Sequence, residues 1–209
     1  MDILSFVAII IILTVSGALA PGPLFFATIS HGTKSGAKSG LIFSVAHTVV
    51  EFSLIMLLAL GLLTVASEPL VKLVVGIIGG GVLIAFGAIQ IQNAINAKSD
   101  ELKKPTSSHR HLFLIGLAFT GLNPYFILWW LTVGAQLIIM ALEFAALLGV
   151  VFMFLCHVWM DYVWLTSIAY FAKKGTNVMR LKWYRPLLII FGVVLIYFGL
   201  TFIITAIGG

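Results

Sequence analysis

The fold class of this protein is indicated most clearly by the stretch GLIFSVAHTVVEFSLIMLLALGLLTVA, residues 40–66. About 20 apolar residues suffice for a helix that crosses a bilayer, and this run is longer. Its only titratable side chains are His47 and Glu51, at the two ends of HTVVE. Residues four apart share one face of a helix, and titratable groups at membrane depth are costly. The stretch therefore predicts a membrane-spanning helix that carries a functional pair.

The composition of the whole chain agrees with this assignment. The 209 residues are 61% hydrophobic and 9% charged, with a mean hydropathy of +1.17, which lies outside the range of soluble domains. Apolar segments lie at about 3–30, 38–65, 70–92, 112–139, 144–171 and 187–207. We predict an all-α integral membrane protein with six transmembrane helices and almost no soluble domain.

The basic residues are distributed asymmetrically between the predicted loops. If the segments alternate in direction, one side carries only Lys72, and the other carries Lys34, Lys38, Lys98, Lys103, Lys104, Arg110, Lys173, Lys174, Arg180, Lys182 and Arg185. The positive-inside rule places the second group in the cytoplasm and both termini outside. The net charge of +5 thus reflects orientation in a lipid bilayer, and we expect no nucleic-acid partner.

The N-terminal segment contains an Ala-x-Ala pattern in SGALAPGP, residues 16–23, which resembles a signal-peptidase site. No basic residue precedes the apolar run, and Pro21 would follow the cut. We therefore expect a retained first helix.

The two halves of the chain resemble each other. GGVLIAFG at 80–87 matches GVVLIYFG at 192–199, and HTVVE at 47–51 matches HVWMD at 157–161. PGPLFF at 21–26 has a weaker counterpart in LNPYFI at 122–127. Because the matches occur in the same order, they predict an internal repeat.

Each repeat contains three predicted spans, so the second repeat enters the membrane from the opposite side. The predicted units are a first three-helix repeat at 1–92, a cytoplasmic linker at 93–111 and a second three-helix repeat at 112–209. Inverted repeats of this kind accompany alternating access around a site near the membrane midplane.

Prolines interrupt the first and fourth predicted spans. Pro21, Gly22 and Pro23 lie in the first span, and Asn123 and Pro124 lie in the fourth. Proline removes an amide donor and clashes with the carbonyl four residues earlier, which predicts free acceptors at Gly17, Leu19 and Thr120. Irregular backbone at membrane depth is tolerated where it is buried or lines a cavity, so we predict that both breaks bind substrate.

The two His/acid pairs are the predicted centre of the site. His47 with Glu51, and His157 with Asp161, are four residues apart, and the inverted repeat would bring both pairs to one plane. Burial favours a neutral carboxyl group and a protonated imidazole favours a carboxylate, a competition that suits proton coupling. The residues leave three ligands open for this site, namely protons, a divalent metal ion and a substrate ammonium group.

Other residues give weaker signals. The Gly76-x-x-x-Gly80 spacing predicts close helix packing, and Trp129, Trp130 and Trp164 are expected to pack or to anchor the helices. The chain has no phosphate loop and no dinucleotide-binding motif, so we expect no cofactor and an ion gradient as the energy source.

These features together resemble the lysine exporter family (LysE-type, including RhtB-type). The resemblance rests on Pro-Gly-Pro at 21–23, the glycines at 32, 36 and 40, Glu51 before the LG at 60–61, Asn123-Pro124, Gln136 and DYVW at 161–164. The resemblance covers nearly the whole chain and depends on the order and spacing of these motifs.

The resemblance implies a bacterial or archaeal plasma-membrane exporter, not an enzyme, that moves amino acids or related small solutes outward. It also implies proton antiport and, often, a homodimer. The family commonly has Asn-Pro-Lys where this chain has Asn123-Pro124-Tyr125, so the resemblance carries over neither a basic nor an anionic substrate preference.

Two other functions compete with amino-acid export. His47, Glu51, His157 and Asp161 would also suit nickel, cobalt, manganese or zinc, which makes a divalent metal exporter the alternative. A membrane enzyme that passes reducing equivalents across the bilayer would need a cysteine in each repeat. The single cysteine is Cys156, with Ala46 at the corresponding place, and this excludes the enzyme.

Overall fold

The computed structural model describes residues 2–19, 22–62, 69–96, 108–131, 133–178 and 181–208, and all regular structure in these ranges is helical. The helices are α1 (Ile3–Ala18), α2 (Pro23–Ser35), α3 (Ala37–Leu57) with a π-helical turn (Leu58–Leu62), α4 (Pro69–Asn96), α5 (His109–Gly121), α6 (Pro124–Leu131), α7 (Val133–Val178) and α8 (Leu181–Gly208).

The helices follow the predicted apolar segments but differ from them at several ends. The first segment holds two helices, α1 and α2, and the fourth holds α5, α6 and the start of α7. The predicted linker at 93–111 is shorter than expected, because α4 continues to Asn96 and α5 begins at His109 with the Ser108 hydroxyl as its cap. Residues 97–107 of that linker lie outside the described residues.

α7 contains a sharp reversal close to the predicted boundary between the apolar segments at 112–139 and 144–171. Ala145 and Ala146 have non-helical backbone angles, and Ala146 has a φ of 50°. A Cβ on Gly149 would overlap the carbonyl oxygen of Ala141, so the chain folds back tightly here. The reversal divides α7 into a first arm, residues 133–144, and a second arm, residues 147–178.

α4 and α8 pack closely along glycines. A Cβ on Gly80 would lie 2.5 Å from the carbonyl oxygen of Gly199, and one on Gly199 would lie 2.6 Å from that of Gly80. The same exchange occurs between Gly87 and Gly192, at 2.6 and 2.8 Å. The absence of side chains at these positions allows the two backbones to touch.

The helix surfaces are apolar where they face outward. Leu4, Ile12, Leu148 and Ile204 are each about 70% exposed or more. Among the described residues, Ala37–Gly61 and Tyr125–Gly175 are long and apolar enough to cross a membrane, and Ile3–Val15, Gly76–Ile89 and Gly192–Gly208 are shorter apolar helices. Such surfaces fit a lipid environment. The number of spans, the repeat and the side on which the termini lie stay predictions.

Candidate functional site

The second arm of α7 crosses α3 closely enough to bring the two sequence-related pairs together. A Cβ on Gly40 would overlap the carbonyl oxygen of Leu165, so these backbones are in contact. The Ser44 hydroxyl oxygen lies 3.3 Å from the carbonyl oxygen of Asp161, and the hydroxyl groups of Thr48 and Tyr162 are 3.2 Å apart. The crossing point therefore lies beside HTVVE and HVWMD.

Four titratable side chains meet at this crossing. His47 Nε2 lies 3.6 Å from Glu51 Oε1 and 3.9 Å from Asp161 Oδ1. His157 Nε2 lies 3.4 Å from Glu51 Oε2. Glu51, His157 and Asp161 are each at least 95% buried. Glu51 thus contacts both imidazoles, and its contact with His157 joins α3 to the second arm of α7.

The ring of His157 has a defined tautomer. Its Nδ1 lies 3.1 Å from the backbone carbonyl of Met153, which can only accept a hydrogen bond, so Nδ1 carries a proton. In the neutral ring Nε2 would then be an acceptor that faces another acceptor, Glu51 Oε2. The contact is favourable only when a proton lies on one of the two atoms or a cation lies between them. Trp130 and Phe154 pack against the ring, with centroids 5.7 and 5.4 Å away.

The ring of His47 is held differently. Its Nδ1 lies 3.2 Å from the hydroxyl oxygen of Thr120, which can donate or accept. Phe126 meets the ring edge-on at 5.2 Å. His47 is therefore positioned by a side chain from another helix, and its tautomer is free to change with that hydroxyl group. No pattern in the sequence indicated this role of Thr120.

The two helix breaks lie next to each other. Gly22 is the N-cap of α2, and a Cβ there would lie 3.7 Å from Asn123 Nδ2. Asn123 Oδ1 accepts a hydrogen bond from the Tyr125 amide. Thr120 was expected to have a free carbonyl, but it accepts a hydrogen bond from the Asn123 amide at 3.2 Å. The amide and carbonyl of the second break are thus bonded within the chain, whereas no side chain among the described residues caps the first-turn amides of α2.

In each break, a proline is the first residue of the helix that follows. Pro23 is the first residue of α2 and is buried, and Pro124 is the first residue of α6. This agrees with the tolerance of proline in the first turn of a helix. Pro21, the remaining predicted residue of the first break, lies outside the described residues.

One cavity joins the titratable cluster to both breaks. It has a volume of about 100 Å³. Its lining includes His47, Glu51, His157, Asp161, Gly22 and Asn123, and further residues that the sequence did not single out as binding groups, namely Thr14, Leu24, Phe25, Phe126 and Leu165. Trp129, Trp130 and Trp164, which we expected to serve packing, line it as well. A signal for Trp164 exists, because it follows Asp161 by three residues and so shares its helix face.

The cavity offers one group of residues that can bind a cation and another that can bind an anion. Glu51 and Asp161 can receive a cation, and the first-turn amides of α2 can receive an anion, since a helix N-terminus carries a partial positive charge. His47, Glu51 and Asp161 also offer ligand atoms within 4.8 Å of one another, a spacing that a metal ion can bridge. The site suits a small zwitterion, protons or a divalent cation.

Comparison with known proteins identifies the family. A family model described as LysE type translocator matches residues 15–206. No curated protein and no solved structure matches the chain. The match covers both helix breaks, both His/acid pairs and the glycines of α4 and α8. The chain therefore belongs to the LysE type translocator family, and it is a membrane exporter of small solutes rather than an enzyme.

Proposed function

We propose that this protein exports a zwitterionic amino acid, or a closely related small solute, by proton antiport across the plasma membrane of a bacterium or archaeon. One observation supports the proposal above the others: the His/acid cluster and both helix breaks line the same cavity. A site of this kind offers a place for each charge of a zwitterion.

The substrate would bind by its two charged groups. Its carboxylate would accept hydrogen bonds from the first-turn amides of α2, whose residues Leu24 and Phe25 line the cavity. Its ammonium group would lie between Glu51 and Asp161. The described lining contains no lysine or arginine, so only a protonated imidazole of His47 or His157 would compete there with the ammonium group.

Protons and substrate would compete for the same carboxylates. A proton taken up from outside would occupy the place of the ammonium group and release the substrate. The two repeats would then rock against each other and expose the cavity to alternate sides, with the close contact of α4 and α8 as a rigid support. The proton that the Glu51–His157 contact requires fits this exchange.

Amide variants test the role of the acids. Glu51→Gln and Asp161→Asn keep the size of the side chain but cannot take up the proton, so we expect both to abolish pH-driven efflux of amino acids from vesicles. Glu143→Gln is the matched control, because Glu143 is an exposed acid on the first arm of α7. Normal transport by both variants, at normal membrane levels, would refute the coupling role.

A divalent metal exporter is the second candidate function. The spacing of His47, Glu51 and Asp161, within 4.8 Å, favours it, and nitrogen and oxygen ligands suit nickel, cobalt, manganese or zinc. Metal analysis of the purified protein, with and without His47→Asn, separates the two functions. Metal bound in equimolar amount, lost in the variant and carried across vesicles would favour the metal over the amino acid.

A further inference from the structure

Trp164 has a buried polar atom for which the described part of the chain offers no hydrogen-bond acceptor. The indole Nε1 is buried and has no hydrogen-bond acceptor among the described residues, although Trp164 lines the cavity. An indole N–H can only donate, and a buried tryptophan N–H normally has a partner. An acceptor on a bound molecule would supply that partner.

The indole ring is held in place beside the acids. Phe25, in the first turn of α2, stacks on the ring with centroids 6.1 Å apart and planes inclined by 19°. Trp164 follows Asp161 by three residues in the second arm of α7, so the Cβ atoms of the two residues are about 5–6 Å apart. The ring is therefore on the same helix face as Asp161 and stacks on a residue of the first turn of α2.

We propose that the Trp164 Nε1–H donates a hydrogen bond to the substrate carboxylate, and that the substrate is a neutral α-amino acid with an apolar side chain. This inference rests on the proposed function. In an α-amino acid the carboxylate and ammonium groups are on neighbouring carbons of one short molecule, which matches a donor at Trp164 and an acceptor at Asp161.

The rest of the lining supports a neutral side chain. Phe126, Trp129 and Leu165 provide apolar surface, and no lysine or arginine is present among the described lining residues. Tyr125, which stands where the family commonly has lysine, also lines the cavity. Apart from the two imidazoles, the donors that the described lining offers to the carboxylate are neutral, and Trp164 is placed to be one of them.

Binding of leucine and of its decarboxylated amine, 3-methylbutylamine, tests the assignment. Trp164→Phe keeps an aromatic ring that can stack on Phe25 but removes the donor. A hydrogen bond to a charged acceptor is strong, so we expect the Kd for leucine to rise about tenfold or more and the Kd for the amine to stay within about twofold. Trp159→Phe is the matched control, because Trp159 is exposed and its Nε1 donates to the Cys156 carbonyl.

Each outcome bears on one claim. A selective loss of leucine affinity supports the inference, and the melting temperature of Trp164→Phe shows whether the fold is intact. Unchanged leucine affinity, or an equal loss for leucine and the amine, overturns the role of Trp164 and leaves the proposed function standing. Wild-type protein that binds the amine as tightly as leucine overturns the role of the carboxylate as well. Wild-type protein that neither binds nor exports any neutral amino acid overturns the proposed function itself.

Discussion

The contact between α4 and α8 is reciprocal, whereas the contact between the two His/acid pairs is not. Gly80 approaches the carbonyl of Gly199 as closely as Gly199 approaches that of Gly80. At the centre, carboxylate oxygens of Glu51 lie within 3.6 Å of both imidazoles, whereas the ion pair of Asp161 among the described residues is with His47, at 3.9 Å. Similar sequences thus give equivalent contacts at the periphery and unequal ones in the cavity.

The two kinds of contact differ in what they depend on. Glycine contacts between backbones depend on close packing alone, so similar sequences give similar contacts. The contacts of the titratable side chains depend on how α3 is rotated against α7. In the one arrangement of the helices seen here, the two His/acid pairs have unequal contacts. In an alternating-access cycle we expect the other arrangement to exchange the roles of the two pairs.

Loss of His157 should have the largest effect on stability. His157 is 2% exposed and packs between Trp130 and Phe154, so His157→Ala would leave a cavity and remove the partner of Glu51 Oε2. We expect a loss of about 3 kcal/mol in the free energy of unfolding in detergent. His47→Ala, at a less buried position, should lose clearly less. Equal losses would mean that the two histidines are equivalent.

A methyl group at the periphery should have the next largest effect. Gly80→Ala places a Cβ against the carbonyl oxygen of Gly199, so we expect a loss of about 1–3 kcal/mol as α4 and α8 separate. Gly81→Ala is the control, because nothing lies within 4 Å of a Cβ there. A melting temperature for Gly80→Ala that equals that of Gly81→Ala would contradict the close contact.

The smallest effect is expected when the hydrogen bond that positions His47 is removed. Thr120→Val keeps the shape of the side chain but removes the hydroxyl group at His47 Nδ1. We expect a loss of about 1 kcal/mol and a few-fold slower efflux, because the ring loses the hydrogen bond at its Nδ1. The corresponding contact of His157 is to a backbone carbonyl, which no substitution removes. Unchanged efflux would show that the orientation of His47 does not matter.

Part of this site could be predicted from the sequence. The all-helical membrane class, the family and the candidate residues follow from apolar length, the repeated HTVVE and HVWMD, and the prolines. The contact of Glu51 with His157 could not be predicted, because it depends on how far each helix rotates at the crossing. Spacing alone places His157 and Asp161 on one helix face but does not indicate a partner on another helix. The contact of Thr120 with His47 could not be predicted either, because a single hydroxyl group among apolar residues has no periodicity.

Measuring the movement of substrate and protons together is the most direct test of proton antiport through the His/acid cluster. Vesicles that contain the protein, an internal pH dye and leucine are diluted into leucine-free buffer, and luminal pH is followed together with leucine efflux. We predict that efflux acidifies the lumen in proportion to the leucine released, and that Glu51→Gln abolishes both signals. Leucine efflux without acidification, or an unchanged response in Glu51→Gln, would contradict proton antiport through this cluster.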